Sequence, residues 1–482
     1  MIDLRPVGYV VGLLVAFLGI SMFVPMSIDI YAGDPHWMIF AESAIVTTLC
    51  GGLMALATKN GVGERLSIQQ TFLLTSAVWL ALPFFGAIPF ILGATEARFL
   101  DAFFEAMSGM TTTGATVFTG LENLPDGLKL WRGLLQWFGG IGIIVVAMVF
   151  LPELRIGGMQ IFRSESFDTF GKVLPQAVDI AKQISFIYLG LTLSCALGYR
   201  IAGMNVFEAV NHALTTVSTG GFSTTDLSFG AFKGATEYVA VLFMILASLP
   251  FVRYVQLLAG SSQPLFRDSQ VRAYLVMIFA VAVILTLYRS YVSSAPLDVG
   301  FREGLFNITS IISGTGYASA DYQQWGPMPV ALFFFIGLVG GCAGSTSCSI
   351  KVFRYQLFFA ALRAQVRRIH SPHGIFTPRY EGRAVSEDVL SSVMAFFVLF
   401  IVTLGAVALA LGLTGLDFIT SVSGAASMLG NIGPGLGDTI GPAGNFADIN
   451  DTAKWISIFA MLVGRLELMV VYAIITVNFW RD

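Results

Sequence analysis

Residues 110–116 read Met-Thr-Thr-Thr-Gly-Ala-Thr, and this run recurs in altered form three more times along the chain. The later copies are residues 218–223 (Ser-Thr-Gly-Gly-Phe-Ser), 313–319 (Ser-Gly-Thr-Gly-Tyr-Ala-Ser) and 430–435 (Gly-Asn-Ile-Gly-Pro-Gly). One glycine aligns the four copies: Gly114, Gly221, Gly316 and Gly433. Each copy follows a short apolar segment and precedes a longer one, so internal repetition is the main feature of the chain.

A short polar run with glycine is costly at membrane depth unless it lines a water-filled path. The half-helix before each run would aim its C-terminal carbonyl groups at that path, and glycine permits backbone angles that turn successive carbonyls toward one axis. One such run alone is better explained as an ordinary helix-breaking turn, but four at equivalent places predict a ring of carbonyls that coordinates a cation. The predicted lining residues are Thr112, Thr113, Gly114, Thr219, Gly220, Gly221, Gly314, Thr315, Gly316, Asn431, Ile432 and Gly433.

Composition predicts a membrane protein. The chain has 482 residues, of which 55% are hydrophobic and 12% are charged, and its mean hydropathy is +0.76. Soluble domains carry roughly 25% charged residues. The first apolar run, residues 7–30, lacks a convincing cleavage site and is interpreted as a retained helix. The four cysteines show no metal-ligand spacing, which favours packing roles.

We therefore expect an all-α polytopic membrane protein with four pseudo-repeats around one pore. Each repeat has a span, a half-helix, a filter-like run and a second span, and two further spans precede the first repeat. The expected units are residues 1–68 (two N-terminal helices), 69–165, 166–262, 263–385 and 386–482 (the four pore repeats). The predicted spans are 7–30, 38–58, 72–92, 130–151, 184–201, 238–258, 273–288, 330–362, 389–413 and 455–479. The predicted half-helices are 101–108, 206–217, 301–312 and 418–429.

The placement of basic residues orients these spans. Four basic loops fall on one side of the ten-span arrangement, which the positive-inside rule makes cytoplasmic. Both termini are then inside, and the glycine runs open outward. The loops contain Lys59, Arg65, Arg155, Arg163, Lys172, Arg253, Arg267, Arg272, Lys351, Arg354, Arg363, Arg367, Arg368, Arg379 and Arg383. The run from 351 to 383 is the densest of these and is predicted to contact a cytosolic partner, with lipid attraction or topology setting as alternatives.

The third repeat contains a second unusual segment, residues 340–349, with ten consecutive small or polar side chains. The segment is either a break in mid-membrane or a tight helix crossing built from small residues; its length favours the break. Small residues change backbone conformation at low cost, so the segment is a candidate gate. The candidate gate residues are Gly341, Gly344, Ser345, Thr346, Ser347 and Arg465.

Several ionisable residues leave their roles open. Arg465 and Glu467 lie within the last span, either facing a cavity or forming a structural ion pair. Acids follow the glycine runs and form either a cation-attracting mouth or solvated loop charge. They are Glu122, Asp226, Asp321 and Asp438. His212, on the second half-helix, is interpreted as a hydrogen-bonded packing residue.

Five strings resemble the bacterial TrkH/TrkG/KtrB superfamily of potassium-transport proteins, with TrkH the nearest branch, over essentially the whole chain. The strings occupy residues 111–116, 136–143, 340–346, 431–435 and 464–467. The resemblance implies potassium uptake across the bacterial inner membrane by a homodimer in which each protomer has its own pore. It implies a cytosolic nucleotide-binding regulator of the TrkA type, surrounding lipid and no nucleic acid. Potassium is the transported ion, with no catalytic cofactor. The segment 340–349 would block the pore beneath the filter, with Arg465 near the block.

Two departures from the family pattern concern gating and selectivity. Residues 345–351 read Ser-Thr-Ser-Cys-Ser-Ile-Lys, where the family often has Ser-Thr-Gly-Gly-Gly-Met-Lys, so a stiffer loop is expected. The third filter copy is also less rich in threonine than the family form.

Two rival functions compete with potassium uptake. The first is a sodium-permeable or sodium/proton-coupled potassium transporter of the same superfamily. In this family a serine in the first copy accompanies sodium permeation, so Gly114 favours potassium. The second rival is a membrane enzyme. The four histidines form no cluster with acids or a nucleophile, so no enzyme activity is expected.

Overall fold

The computed structural model describes residues 2–61, 66–146, 158–159 and 173–481 of the chain. Its architecture is helical, and the β structure within these residues is one small hairpin, Arg379–Tyr380 paired with Arg383–Ala384, beside a single isolated bridge. The predicted all-α polytopic fold is confirmed. The basic residues Arg65, Arg155, Arg163 and Lys172, and the end of the predicted span 130–151, lie outside the described residues.

Two helical spans precede the repeats. The first consists of Arg5–Ser21 followed by Phe23–Ala32, and the second is Trp37–Thr58. They pack closely because glycines face each other's backbone: a methyl group added at Gly51 would lie 2.4 Å from the backbone nitrogen of Ala16. Small residues at such crossings let apolar helices approach closely in a membrane.

The four repeats follow in order, and each contains a short buried pore helix. The pore helices are Phe99–Met110, Val206–Val217, Leu297–Ser313 and Phe418–Gly430. The helices that precede them are Ile68–Gly86 with Ile88–Leu92, Val173–Ile201, Gln263–Arg267 with Ser269–Ser293, and Glu387–Leu413. The helices that follow them are Asp126–Val145; Ala235–Ala247 with Phe251–Leu258; Pro327–Gly337 with Val352–His370; and Asp451–Arg465 with Met469–Ile475 and Val477–Arg481. Short 3-10 helices are Lys59–Gly61, Leu121–Asn123, Ser228–Ala231 and Tyr322–Trp325.

The second spans of repeats two and four are bent rather than straight, which differs from the sequence prediction. The bend between Ala235–Ala247 and Phe251–Leu258 is 87°, and the bend between Asp451–Arg465 and Met469–Ile475 is 107°. Pro250 explains the first, since proline lacks the N–H that a continuing helix needs. Among the described residues, six helices are long and apolar enough to cross a membrane, or eight when each bent pair is counted as one span.

Candidate functional site

The four glycine runs share one unusual backbone conformation. The aligned glycines have φ of 83°, 80°, 80° and 105°, a left-handed region that glycine enters without a steric penalty. The residues two positions earlier are left-handed as well, although three of them carry side chains: Thr112 (52°), Thr219 (50°), Gly314 (77°) and Asn431 (48°). The same pair of left-handed residues thus ends each pore helix, which supports the alignment of the four copies.

Backbone carbonyl groups of the four runs form a closed ring in the order of the repeats. A methyl group added at Gly114 would lie 2.3 Å from the carbonyl oxygen of Gly220, and one at Gly221 would lie 1.8 Å from that of Thr315. A methyl group added at Gly316 would lie 1.7 Å from the carbonyl oxygen of Ile432. The ring closes at Gly433, where the distance to the oxygen of Thr113 is 2.7 Å.

A cavity of about 300 Å³ lies over this ring, and all four aligned glycines line it. Its lining also includes two charged residues of opposite sign, Asp226 and Arg132. The structure therefore brings together the four predicted runs: their glycines meet at the floor of one polar cavity, and the oxygens of Thr113, Gly220, Thr315 and Ile432 lie against those glycines. Such an arrangement of oxygen ligands suits a monovalent cation stripped of its water.

Side chains from neighbouring elements hold the ring in place. Gln136, on the second span of repeat one, donates through Nε2 to the carbonyl oxygen of Gly220 (2.6 Å) and accepts from the Phe222 N–H through Oε1 (3.0 Å). Asn431 donates to the Thr113 hydroxyl (3.0 Å) and to the Met461 carbonyl (2.9 Å), which joins the fourth copy to the first. Gln136 thus holds the Gly220 carbonyl in position, and Asn431 holds the fourth copy against the first.

A buried ion pair near the first copy was missed in the sequence. Arg132 Nε donates to Glu105 at 2.8 Å, and these side chains are 1% and 0% exposed. Arg132 also donates to the Ser223 carbonyl at 2.8 Å, while Glu105 accepts from the Thr116 hydroxyl and the Val117 N–H. The pair thus ties the first copy to the second. The sequence signal for this pair was the presence of one acidic and one basic residue within predicted membrane segments, where charged residues usually pair.

Comparable contacts occur in the other three repeats. His212 lies 3.1 Å from the Ser223 hydroxyl, and Asn307 donates to the Ser319 hydroxyl at 3.0 Å. In the fourth repeat the hydroxyl of Ser423 accepts from the Leu436 N–H at 2.8 Å. Each of these three pore helices is therefore bonded to the end of its own run or to the residue directly after it, and the predicted packing role of His212 is confirmed.

The outer acids contribute to the contacts between repeats. Asp226 accepts from the N–H groups of Gly120 and Leu121 at 2.7 and 3.1 Å, and Glu122 accepts from the Asp226 N–H at 2.9 Å. Asp321 caps the short helix Tyr322–Trp325, and Asp438 is exposed.

An outer ion pair joins repeat four to repeat one. Arg98, at the start of the first pore helix, binds Asp451 at 2.8 Å. The same arginine also binds Asp101 at 2.9 Å, so it bridges carboxylates of both repeats.

Residues 340–349 form a non-helical break beneath the ring, as predicted for a mid-membrane loop. The loop docks on the bend of repeat two: Cys342 N–H donates to the Ser248 carbonyl (3.0 Å), and Phe251 N–H donates to the Gly344 carbonyl (2.9 Å). Within the loop, Gly341 N–H donates to the Ser347 hydroxyl at 2.8 Å. Ser345 and Thr346 are buried and bonded to the carbonyls of Cys342 and Ala247.

Cys348 places this loop directly against the glycine runs. Its sulfur lies 3.6 Å from the Thr112 hydroxyl, and a methyl group at Gly314 would lie 3.1 Å from its Cβ. Arg465 donates to the same sulfur at 2.8 Å and to the Gly139 carbonyl at 3.2 Å. Arg465 therefore faces the loop.

Glu467 binds a different cation than the sequence suggested. Its carboxylate forms an ion pair with Arg354, a fully buried arginine on the helix after the loop. Arg465 and Glu467 therefore do not pair with each other: Arg465 contacts Cys348, and Glu467 pairs with Arg354. The last span bends at this point, where Glu467 and Leu468 have φ of 58° and 48°.

The basic residues of the run 351–383 differ in exposure: the first two are buried and the later arginines are exposed. Lys351 and Arg354 are 7% and 0% exposed and belong to the interior beneath the ring, so they are not part of a cytoplasmic surface. The exposed basic residues are Arg363, Arg367, Arg368, Arg379 and Arg383. The sequence run overstated this surface because the helix Val352–His370 begins inside the protein.

Comparison with known proteins identifies the family. The family model named TrkH and described as a cation transport protein matches residues 36–479. The chain belongs to the TrkH family. Among curated members, it is 41% identical to the Trk system potassium uptake protein TrkI of Halomonas elongata, over 99% of this chain and 97% of the relative. It is 34% identical to the Trk system potassium uptake protein TrkH of Escherichia coli K12, over 99% of both chains.

The fold agrees with a solved structure of this TrkH family. The crystal structure of the potassium transporter TrkH from Vibrio parahaemolyticus superposes with a TM-score of 0.92 at 32% identity, covering 100% of both chains. The similarity extends over the N-terminal spans as well as the four repeats.

Proposed function

We propose that this protein takes up potassium ions across the bacterial inner membrane through a pore whose filter is the four-repeat carbonyl ring. The observation that carries this proposal is the cyclic contact of Thr113, Gly220, Thr315 and Ile432 with the four aligned glycines. Membership of the TrkH family and the names of its relatives support potassium as the ion. The protein acts as a transporter, with no chemical conversion of its substrate.

The twelve filter residues act mainly through their backbone. Carbonyl oxygens replace water around a permeating cation, and the dipoles of four converging pore helices favour positive charge at their C-terminal ends. Potassium is the transported substrate here.

The loop 340–349 and Arg465 form the gate in this proposal. The loop lies beneath Thr112 and Gly314, and Arg465 places a buried positive charge beside it. A fixed cation in a narrow, poorly solvated passage opposes a permeating cation. Movement of the loop away from the bend of repeat two opens the path.

The regulatory partner is a cytosolic nucleotide-binding subunit of the TrkA type, and the protein works as a homodimer with one pore in each protomer. The relatives are named as parts of a Trk system, which supports a multi-component assembly. The exposed arginines of the helix Val352–His370 offer a charged surface for such a partner. Both termini lie in the cytoplasm.

A sodium-permeable or sodium/proton-coupled transporter of the same family is the alternative. The glycine at position 114 in the first copy favours potassium over this alternative. Direct competition between the two ions separates the two functions.

Growth rescue tests the proposal. The full chain is expressed in a bacterial strain that lacks its own potassium uptake, and rubidium uptake is measured with potassium or sodium as competitor. We expect growth at limiting potassium and stronger competition by potassium than by sodium. Absence of rescue by protein that is present and folded in the membrane contradicts the proposal, and stronger competition by sodium favours the alternative.

A matched pair of glycine variants links the result to the ring. Gly316→Ala should abolish uptake because its new methyl group meets the Ile432 carbonyl. Gly405→Ala should retain uptake, since nothing lies within 4 Å of the added methyl group.

A further inference from the structure

A small internal cavity lies between the gate loop and the last span. Its volume is about 30 Å³, and its polar lining includes Ser345, Ser347, Lys351, Asn431, Arg465 and Glu467. One water molecule needs a cavity of about 10–15 Å³, so this cavity is large enough for one small ion or one water molecule. It lies next to Cys348, and so it borders the loop directly beneath the glycine runs.

The charged groups around this cavity do not balance. Two of its lining side chains, Lys351 and Arg465, are cationic and are 7% and 4% exposed. The one lining carboxylate, Glu467, is already paired with the buried Arg354. Lys351 is within electrostatic range of Arg465, so the two cations repel each other. Uncompensated charge in the membrane interior is costly.

The hydrogen bonds of the two cations leave donors unused. Lys351 donates through Nζ to the Ser347 carbonyl, and an ammonium group has three protons to donate. Arg465 donates to the Cys348 sulfur and the Gly139 carbonyl, but its buried Nε has no hydrogen-bond partner in the described structure. The hydrogen-bond acceptors of both cations are therefore uncharged groups for the most part. The ammonium group of Lys351 and the Nε of Arg465 still have N–H groups that can bind a negative ligand.

We propose that this cavity binds one small monovalent anion of the chloride class between Lys351 and Arg465. The volume favours a halide over a sulfate or phosphate, and the two cations favour negative charge over water. Bound there, the anion offsets positive charge beside the gate loop and so lowers the electrostatic opposition to a permeating cation. This site goes beyond the proposed function, because it assigns the interior beneath the filter a ligand of opposite charge to the transported ion.

Equilibrium binding tests the site without any measurement of transport. The probe is radioactive chloride, and the sample is the purified full-length protein in lipid nanodiscs with gluconate as the supporting anion. We expect saturable binding of one chloride per chain, displaced by bromide and unaffected by more gluconate. Lys351→Met should weaken binding at least tenfold, whereas Arg267→Met, a change at the exposed end of the helix Gln263–Arg267, should leave binding unchanged.

Three outcomes overturn the proposal. The first is that folded wild-type protein shows no saturable chloride binding. The second is that wild-type protein and Lys351→Met bind chloride equally well. The third is that chloride binds to Cys348→Ser but not to wild-type protein. The last outcome would show that the Cys348 side chain excludes the anion from the cavity. If Lys351→Met fails to fold, the site is tested by soaking crystals of the wild-type protein in bromide and locating the bromide by anomalous diffraction. A bromide peak between Lys351 and Arg465 supports the site, and an empty cavity overturns it. Each outcome is independent of whether potassium is transported.

Discussion

The carbonyl oxygen of Ile432 faces Gly316 so closely that a methyl group on that glycine would lie 1.7 Å from the oxygen. The same relationship recurs at the other three aligned glycines with distances of 1.8, 2.3 and 2.7 Å. Contacts below 3.0 Å require the neighbouring atom to move, and here that atom belongs to the backbone of the next repeat. Steric contact therefore couples each copy of the run to its successor.

Alanine at the four glycines should reduce rubidium uptake in a graded order. Gly316→Ala and Gly221→Ala should be the most damaging, followed by Gly114→Ala and then Gly433→Ala, because the clash distances rise in that order. Each variant also carries about 1–2 kcal/mol of strain from its left-handed backbone. Gly405→Ala is the control. Equal loss of uptake at all four sites would contradict the steric ranking.

Gly114→Ser should raise sodium permeation relative to potassium. The new Cβ would lie 2.3 Å from the Gly220 carbonyl oxygen, so that oxygen must shift and the ring must change its size. The measurement is the ratio of sodium to rubidium uptake in membranes with equal amounts of protein. An unchanged ratio in a well-folded variant counts against the assignment of Gly114 to the filter.

Glu105→Gln should lower the free energy of unfolding by about 3–5 kcal/mol, because it leaves the buried Arg132 cation without its partner. It should also alter ion selectivity, since Arg132 positions the Ser223 carbonyl. Thermal unfolding in detergent and ion competition are the measurements. Asp3→Asn, which removes the exposed pair with Arg5, should leave both unchanged. Identical behaviour of the two variants would show that the Glu105–Arg132 pair does not hold the filter.

Arg465→Ala should increase basal ion flux in the absence of the regulatory subunit. A cation at about 4 Å from a permeating ion opposes it by about 4 kcal/mol at an effective dielectric near 20, and water lowers this figure. The change also removes the bond to Cys348 that holds the loop. Flux is measured in proteoliposomes, with Arg367→Ala as the control. Unchanged or reduced flux from folded protein would reject the gate and leave the filter assignment intact.

Neutralising Arg363, Arg367 and Arg368 together should abolish co-purification of the cytosolic regulator. These side chains are exposed on one helix and carry the positive charge that a partner would contact. The control is Arg267→Gln with Arg272→Gln, which alters exposed charge elsewhere on the chain. Intact binding after the triple change would place the partner's contact on another surface.

Local chain properties explain what the sequence predicted well. The second pore helix, Val206–Val217, has the predicted limits, and the four aligned glycines all have positive φ. Both features follow from short-range signals: an apolar helix of limited length, and a backbone conformation that only glycine adopts cheaply. Pro250 was a comparable signal for the bend in repeat two, although the predicted span ran through it.

Tertiary contacts explain what the sequence did not predict. The bend at Glu467 and Leu468 has neither glycine nor proline at its left-handed positions, and Glu467 is bound by Arg354 from more than a hundred positions away. The Glu105–Arg132 pair, which joins two helices of the first repeat, and the burial of Lys351 likewise depend on how the helices pack. Residue spacing identifies such groups as unusual, but their partners are fixed only by the fold.

The closed ring is made by a single polypeptide, and its four quarters are chemically different: Thr113, Gly220, Thr315 and Ile432. In a homotetrameric channel, one codon change alters four symmetric positions at once. Here one codon change alters a single quarter of the ring, while the other three keep their geometry. A substitution can therefore change one quarter of the ring at a time, and the third and fourth copies already differ in sequence from the first.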